Sequence, residues 1–172
     1  MQVSLVITIL GPDRPGLVKS LSETLKQFNA NWTDSRMSRL AGRFAGILHV
    51  CVADDQLDAL SDALENLHNS SLQVQIEKTH DMEDQAVTQT LRLELLAQDR
   101  SGIVLDITQQ LETLKVNIEE LESEVKEASM SGGTLFIAKL KLGLPEGVTP
   151  EAVQDSLESM ADQFMVDLNF SS

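Results

Sequence analysis

The sequence predicts an α+β protein made of two tandem βαββαβ domains, because its 172 residues repeat one pattern twice. Residues 11–16 read Gly-Pro-Asp-Arg-Pro-Gly and residues 97–102 read Ala-Gln-Asp-Arg-Ser-Gly, which sets Asp13 and Asp99 86 positions apart. The apolar positions that follow repeat at the same offset: Leu17, Val18, Leu21, Leu25 and Phe28 correspond to Ile103, Val104, Ile107, Leu111 and Leu114. A shared turn followed by a shared apolar pattern indicates an internal duplication.

The first half begins with a β-branched run, residues 3–10, that stops at Gly11-Pro12, which is typical of a strand followed by a turn. A helix is predicted next, because the apolar stripe over residues 17–28 has a period near 3.6 residues. Pro15 suits the first turn of that helix, and Asp13 is expected to cap its free amides.

Two further strands, residues 31–40 and 43–53, flank Ala41-Gly42 and are predicted to form a hairpin. Alternate residues from Phe44 to Val52 share one face of the second strand. A helix follows, and a strand over residues 72–78 completes the unit. The leucines that define this helix are Leu57, Leu60, Leu64 and Leu67.

The second half repeats this order with a longer hairpin around residues 128–133, because Phe44 corresponds to Phe136 at an offset of 92. A helix is expected at 150–163 and a strand at 164–170. We place the first domain at residues 1–80, a polar linker at 81–88 and the second domain at 89–172. Right-handed crossovers then give each domain a ferredoxin-like four-stranded antiparallel sheet with both helices on one face.

Composition limits the classes of function. The chain carries 27 acidic and 13 basic residues, a formal net charge of −14 at pH 7. Nucleic-acid binding needs clustered cations, and since Arg36, Arg39 and Arg43 form the one concentrated basic patch, direct DNA binding is disfavoured. The single cysteine, Cys51, excludes an internal disulfide. Without a membrane-length apolar run or a basic leader, we expect a soluble cytoplasmic protein.

The first turn carries residues suited to an amino-acid ligand. Gly11 and Gly16 allow close approach to the backbone, and amides at a helix start attract an anion such as a carboxylate. Asp13, Asn31 and Asp34 are candidates for binding the α-ammonium group, and we expect them near the same end of the sheet. Helix capping is the alternative explanation, and spacing alone does not separate the two.

Other candidate sites are weaker. His49 and Cys51 stand two residues apart without a third ligand nearby, so no metal site is predicted. No phosphate loop, dinucleotide motif or supported nucleophile is visible, so we expect no catalysis and no cofactor. Trp32 is expected to pack in a core or between domains.

An acidic stripe in the second half is interpreted as a solvated strand, with a surface for a basic partner as the alternative. Its members are Glu119, Glu120, Glu122, Glu124 and Glu127.

The turn motif, with Asn31 placed 15 residues after Gly16, resembles that of the ACT family of small-molecule-sensing domains. Two such domains spanning nearly the whole chain, with Asn-Trp-Thr-Asp-Ser-Arg at 31–36, resemble the regulators of glycine cleavage genes in that family. The resemblance implies a non-catalytic amino-acid-sensing repressor, with glycine as the first candidate ligand. It also implies action through contact with a LysR-type, DNA-binding activator.

In the wider family, ligands lie at interfaces between ACT domains, against the first turn and nearby strand residues. By position, the resemblance implies a site formed by Gly11, Asp13, Arg14, Gly16, Asn31 and Asp34. The second copy departs from the motif, because Ala97, Gln98 and Ser101 replace a glycine and two prolines. The residues left for a second site are Asp99, Arg100, Gly102, Asn117 and Glu120.

Alternative functions remain open at this point. One is an amino-acid-responsive regulatory subunit of a metabolic enzyme; others are an enzyme that uses a cleft between the domains and a scaffold that has lost its ligand. The sequence also leaves open the ligand, the protein partner and the oligomeric state, a homodimer included.

Overall fold

The computed structural model describes residues 1–67, 71–79, 89–128, 132–164 and 167–171. Backbone contacts divide the chain into two compact units, Met1–Met82 and Glu83–Ser172. The predicted linker at 81–88 and residues 129–131 of the longer hairpin lie outside the described residues. The exact domain boundaries therefore stay a prediction.

The first unit has the predicted βαββαβ order. Its elements are β1 (Gln2–Pro12), α1 (Leu17–Gln27), β2 (Asn31–Leu40), β3 (Arg43–Ala53), α2 (Leu57–Asn66) and β4 (Gln73–Thr79). A single 3-10 turn at Asp54–Gln56 leads into α2. The hairpin strands have the predicted bounds, and β4 lies one residue further along the chain than expected.

The second unit repeats the order. Its elements are β5 (Gln89–Gln98), α3 (Ile103–Thr113), β6 (Asn117–Glu127), β7 (Thr134–Leu144), α4 (Pro150–Phe164) and β8 (Asp167–Ser171). The prediction that the last strand begins at residue 164 is wrong, because Phe164 is the final residue of α4. Its position continues the three- to four-residue spacing of Val153, Leu157 and Met160, which is a helical spacing.

Each unit contains one antiparallel four-stranded sheet, ordered β2-β3-β1-β4 in the first and β6-β7-β5-β8 in the second. This is the predicted ferredoxin-like topology, with the first strand of each unit at the centre. In the first sheet Leu5 is paired with Val50, and Ile7 with Leu48. All four are buried in one cluster with the inner faces of α1 and α2.

Each fully buried leucine or isoleucine contributes about 1.5–3 kcal/mol relative to an exposed one, so this sheet–helix layer holds the unit together. The second unit has its own core of the same kind, which includes Leu93 and Leu140. No helix in the part of the chain that the structure describes is long and apolar enough to cross a membrane.

Candidate functional site

The turn between β1 and α1 is built around Gly16. This residue precedes the helix with φ 93° and ψ −7°, in the left-handed region that favours glycine. The N–H of Ser20 donates to the carbonyl of Gly16 at 2.9 Å and starts the helical hydrogen bonding. Among the described residues no side chain caps α1, and its first turn contains no acid. The expectation that Asp13 caps the helix is therefore wrong, and the first amides of α1 receive no cap from a side chain in the described part of the chain.

The β2–β3 hairpin lies beside this turn. The backbone N–H of Asp13 donates to the carbonyl of Gly42 at 3.0 Å, and Nη1 of Arg39 lies 3.4 Å from Oδ2 of Asp13. The strand register sets Arg43 opposite Pro12 at the same end of the sheet. In the sequence these arginines are recognisable only as a basic patch. Their position next to the turn follows from the strand order. Strands β1 and β2 are both antiparallel to β3, so the last residues of β1 and β2 lie at the same end of the sheet.

Gly11 has a packing role in this region. A Cβ atom placed there would lie 3.1 Å from Cδ1 of Leu72 and 3.2 Å from the carbonyl oxygen of Ser71. Contacts tighter than ordinary van der Waals distance would force these neighbours to move. The close approach of the chain to itself thus accounts for this glycine, and its contact with a ligand stays a prediction.

Asn31 lies at the opposite end of the sheet from the turn, and Asp34 lies in the irregular stretch between Trp32 and Ser35, nearer the middle of the sheet. Asn31 is paired with Cys51, which is paired in turn with Ser4 near the start of β1. Gly11 lies seven residues beyond Ser4, a distance of about 23 Å at the usual rise of a strand. The prediction that these candidates share one end of the sheet is wrong. A small amino acid cannot contact both groups within one unit.

The second unit separates its candidate residues in the same way. Asn117 is paired with Gly143, which is paired with Thr90 at the start of β5. Asp99 follows the far end of that strand, beyond Gln98. The duplicated sequence has therefore duplicated the separation, and it gives two distinct regions in each unit: the helix-start turn and the start of the second strand.

A β-bulge marks the start of the second strand in both units. The register of β2 shifts between Trp32 and Ser35, and that of β6 shifts between Ile118 and Glu120. A bulge inserts an extra residue on one strand, increases the local twist and changes the direction of neighbouring side chains. Its recurrence at equivalent positions indicates that the duplication preserved this irregularity.

Different side chains connect the bulge to the adjacent strand in the two units. In the first, Oγ1 of Thr33 lies 2.6 Å from Nδ1 of His49 and donates to the carbonyl of His49 at 3.0 Å. In the second, the equivalent positions hold Glu119 and Lys141, whose charged groups lie 2.8 Å apart. The hydroxyl–imidazole contact of one unit is thus replaced by an ion pair in the other.

The second helix-start turn repeats the backbone of the first but not its side-chain contacts. Gly102 has φ 92°, and the N–H of Asp99 donates to the carbonyl of Thr134 at 2.8 Å. Nη2 of Arg100 donates to Oδ2 of Asp106, in the first turn of α3, at 2.6 Å. The arginine of the second motif is therefore held by an acid of its own helix.

Two further residues singled out in the sequence, Trp32 and Cys51, contact other residues of the first unit. Trp32 is half-buried and packs against the first core, which confirms the core prediction. Cys51 lies beside Ser4, with 3.8 Å between Sγ and Oγ. No group of three His, Cys, Asp or Glu side chains that could hold a metal occurs within the described ranges.

The acidic stripe lies along β6, an edge strand of the second sheet. Four of its glutamates are exposed, as expected of a solvated strand, and the side chain of Glu119 is partly covered. Part of its charge is balanced locally, because Glu119 pairs with Lys141 and Glu124 with Lys126, the latter at 2.7 Å. Charged residues on an edge strand also discourage unwanted strand addition.

Residues 4–78 match the ACT domain family. The match spans the first unit, and the second unit repeats the same strand order, helix-start turn and bulge. The chain is a tandem ACT-like protein. The family resemblance and the fold predicted from the sequence are confirmed.

Two solved structures resemble the tandem ACT-like chain over its whole length. An unknown protein from Galdieria sulphuraria is 30% identical, with a TM-score of 0.82 over 99% of this chain and 98% of the other. A proposed glycine cleavage system transcriptional repressor is 19% identical, with a TM-score of 0.74 over 99% of this chain and 97% of the other. At the latter identity the likeness concerns the fold. No curated protein matches the chain in sequence.

Proposed function

We propose that this tandem ACT-like protein is a non-catalytic regulator that responds to a small amino acid, with glycine as the first candidate. The observation that carries the proposal is the start of α1. There a left-handed Gly16 opens an 11-residue helix without a side-chain cap among the described residues and without an acid in its first turn. Such a helix start attracts the carboxylate of a ligand, because its amides and its dipole both favour negative charge.

Asp13 is the nearest candidate for the ammonium group of the ligand. Its carboxylate is about one-third exposed, and its ion pair with Arg39 involves an arginine side chain that is largely exposed. An exposed ion pair is worth only about 0–1 kcal/mol, so an ammonium group can compete for this carboxylate. The proposal thus assigns the carboxylate of the amino acid to the amides after Gly16 and its ammonium group to Asp13.

Asn31 and Asp34 have a different place in the proposal. Asn31 starts β2, and Asp34 lies in the irregular stretch before Ser35. Both are separated from the turn along the sheet, so they are not assigned to the same ligand molecule as Asp13 within one unit. In the second unit the same argument applies to Asn117 and Glu120, and Gly102 starts the helix there. Ligand contacts at these positions remain a prediction.

The regulatory output is proposed to be control of glycine cleavage gene transcription through contact with a LysR-type activator in the cytoplasm. Glycine cleavage genes are chosen as the target because the turn motif resembles that of two-domain regulators of these genes. The fold shared with a proposed repressor of the glycine cleavage system agrees with this choice. Net charge supports the route, because a chain at −14 repels nucleic-acid phosphates. The acidic edge strand β6 is the surface that we assign to a basic region of the activator.

Ligand binding tests the first half of this proposal. Each of the twenty amino acids is added at millimolar concentration to the purified chain, and thermal unfolding and calorimetry are recorded. A ligand that binds only the folded state stabilises it by about 2.7 kcal/mol at a hundredfold excess over Kd, so a clear shift in Tm is expected with glycine or a similarly small amino acid. If none of the twenty shifts Tm or releases heat, the chain is not an amino-acid sensor.

A further inference from the structure

Each sheet has one face packed on its helices and one face turned away from them, which we call the outer face. In an antiparallel sheet of this kind the outer face is normally polar, because water covers it. The duplication allows the two outer faces to be compared position by position. Residues of β1 correspond to residues of β5 at an offset of 86, and those of β3 to those of β7 at an offset of 92.

The outer face of the second sheet is charged across its centre. Glu94 is paired with Lys139, and Arg92 with Lys141, on the two central strands. Nζ of Lys139 lies 3.8 Å from Oε1 of Glu94, and Lys141 forms its ion pair with Glu119. This outer face has the polarity expected of a surface in water.

The outer face of the first sheet has no such charges at the equivalent positions. Thr8 is paired with Ile47, and Val6 with His49, and none of the four has a carboxylate, an ammonium or a guanidinium group. Leu10 continues this surface along β1. Ile47 is 51% exposed and Leu10 is 37% exposed. Single exposed apolar residues are ordinary, but these are neighbours on the two central strands and form one patch.

Opposite charges flank the patch at the two edges of the sheet. Arg36 on β2 is opposite Ile47, and Glu77 on β4 is opposite Val6, and both charged residues are exposed. The strand order β2-β3-β1-β4 places the arginine at one edge and the glutamate at the other. The patch therefore has a cation on one side and an anion on the other.

This distribution of charge makes the face complementary to itself. A two-fold axis that runs along the strands, between two stacked first sheets, exchanges the edges, so that β2 of one copy lies over β4 of the other. Arg36 and Glu77 occupy adjacent rows of the face, about 7 Å apart along a strand, which is within the reach of an arginine side chain. An axis across the strands would instead stack β2 on β2 and bring like charges together. Arg43, at the hairpin end of β3, lies over β1 of the other copy and not over a second Arg43.

We propose that two copies of this chain associate through the outer faces of their first sheets, with the strands aligned and an Arg36–Glu77 ion pair at each edge. Sheets packed in this way lie about 10 Å apart with their strands within about 30° of each other. Four strands about 20 Å long give a flat footprint of roughly 400 Å² on each copy, below the roughly 800 Å² of a standard interface. The dimer is therefore weak and reversible. It requires neither a ligand nor an activator, so it stands independently of the proposed function.

Sedimentation equilibrium of the full chain, from about 10 µM to about 1 mM, tests this inference. The wild-type mass should rise with concentration from 18.9 kDa toward twice that value. The double variant Thr8→Glu, Ile47→Lys copies the Glu94–Lys139 pair of the second sheet onto the first, so it should fold and stay monomeric. Leu96→Lys is the matched control, because Leu96 is 38% exposed on the outer face of the second sheet. This control should associate like the wild type.

A charge exchange tests the two-fold arrangement. Arg36→Glu and Glu77→Arg should each weaken the association about fivefold or more, because like charges then face each other across the interface. The two substitutions together should restore the wild-type affinity. Urea denaturation checks that each variant is folded, and if the Thr8→Glu, Ile47→Lys variant does not fold, the charge exchange decides alone.

Three results would overturn the inference. The first is a wild-type mass that stays at 18.9 kDa up to the highest concentration. The second is a folded Thr8→Glu, Ile47→Lys variant that associates as strongly as the wild type, because another surface would then form the dimer. The third is a dimer that the single charge reversals do not weaken or that the double reversal does not restore.

Discussion

The carboxylate of Asp13 lies 3.4 Å from the guanidinium of Arg39, so the first helix-start turn is joined to the β2–β3 hairpin by a charged contact. The backbone reinforces it, because the N–H of Asp13 donates to the carbonyl of Gly42. A ligand that engages Asp13 must compete with Arg39. The hairpin is thus the element of the first unit that is placed to respond when the turn is occupied.

Replacing Asp13 separates its ligand role from a structural one. Since Asp13 does not cap α1 and its ion pair is exposed, Asp13→Ala should change the free energy of unfolding by less than about 0.5 kcal/mol. Loss of a charge-assisted contact to an ammonium group should weaken glycine binding about tenfold or more. Urea denaturation and calorimetry measure the two effects, with Asp99→Ala as the matched control. A stability loss of about 1–2 kcal/mol with unchanged affinity would restore the capping interpretation.

The paired glycines test whether backbone strain and binding can be separated. Gly16 and Gly102 have nearly the same positive φ, so Gly16→Ala and Gly102→Ala should each destabilise the chain by about 1–2 kcal/mol. Only Gly16→Ala should reduce the affinity for an amino acid. Equal losses of affinity would indicate two working sites and would contradict the account of the second turn.

Strand β3 lies so close to β2 at Gly46 that one added methyl group should lower the stability of the first unit substantially. A Cβ atom there would lie 2.5 Å from Cγ of Met37 and 2.8 Å from the carbonyl oxygen of Arg36. Gly46→Ala should therefore destabilise the first unit by about 2 kcal/mol or more. Adding Met37→Ala should recover only part of the loss, because the carbonyl contact remains. A urea midpoint that is unchanged by Gly46→Ala would contradict this prediction, because it would show that β2 moves away from the added methyl group without loss of stability.

The ion pairs of the second sheet should differ in strength according to their burial. Glu119 and Lys141 lie 2.8 Å apart with side chains 23% and 31% exposed, whereas Glu94 and Lys139 lie 3.8 Å apart with side chains 58% and 64% exposed. Double-mutant cycles should give a coupling energy of about 0.5–1 kcal/mol for the first pair and near zero for the second. The larger coupling should shrink in high salt. Equal coupling energies for the two ion pairs would show that burial does not determine their strength.

Element order and core could be predicted from the sequence because both depend on local pattern. The alternation from Phe44 to Val52 and most of the stripe after Gly16 face the core, whereas Val18 in that stripe is 42% exposed. The last helix was predicted one residue short because no local pattern marks its end. Phe164 fits a helix or a strand equally well when only its hydrophobicity is considered.

The arrangement of the candidate site required three-dimensional information. Helix α1 has 11 residues and spans about 16 Å at 1.5 Å per residue. That length carries the chain back along the sheet and separates Asn31 from Asp13. The bulge before Ser35 and the contact of Arg39 with Asp13 depend on strand register, which no local pattern of β2 specifies.

We propose that the chain responds to an amino acid and acts on transcription through another protein. An electrophoretic mobility-shift assay on the glycine cleavage promoter, at physiological salt, tests it with the chain alone, the LysR-type activator alone and both together, each with and without glycine. We predict no retardation by the chain alone, and a change in the activator–DNA band only when the chain is present, altered in size or amount by glycine. Retardation of the promoter by the chain alone, or an activator band that neither the chain nor glycine changes, would contradict the account.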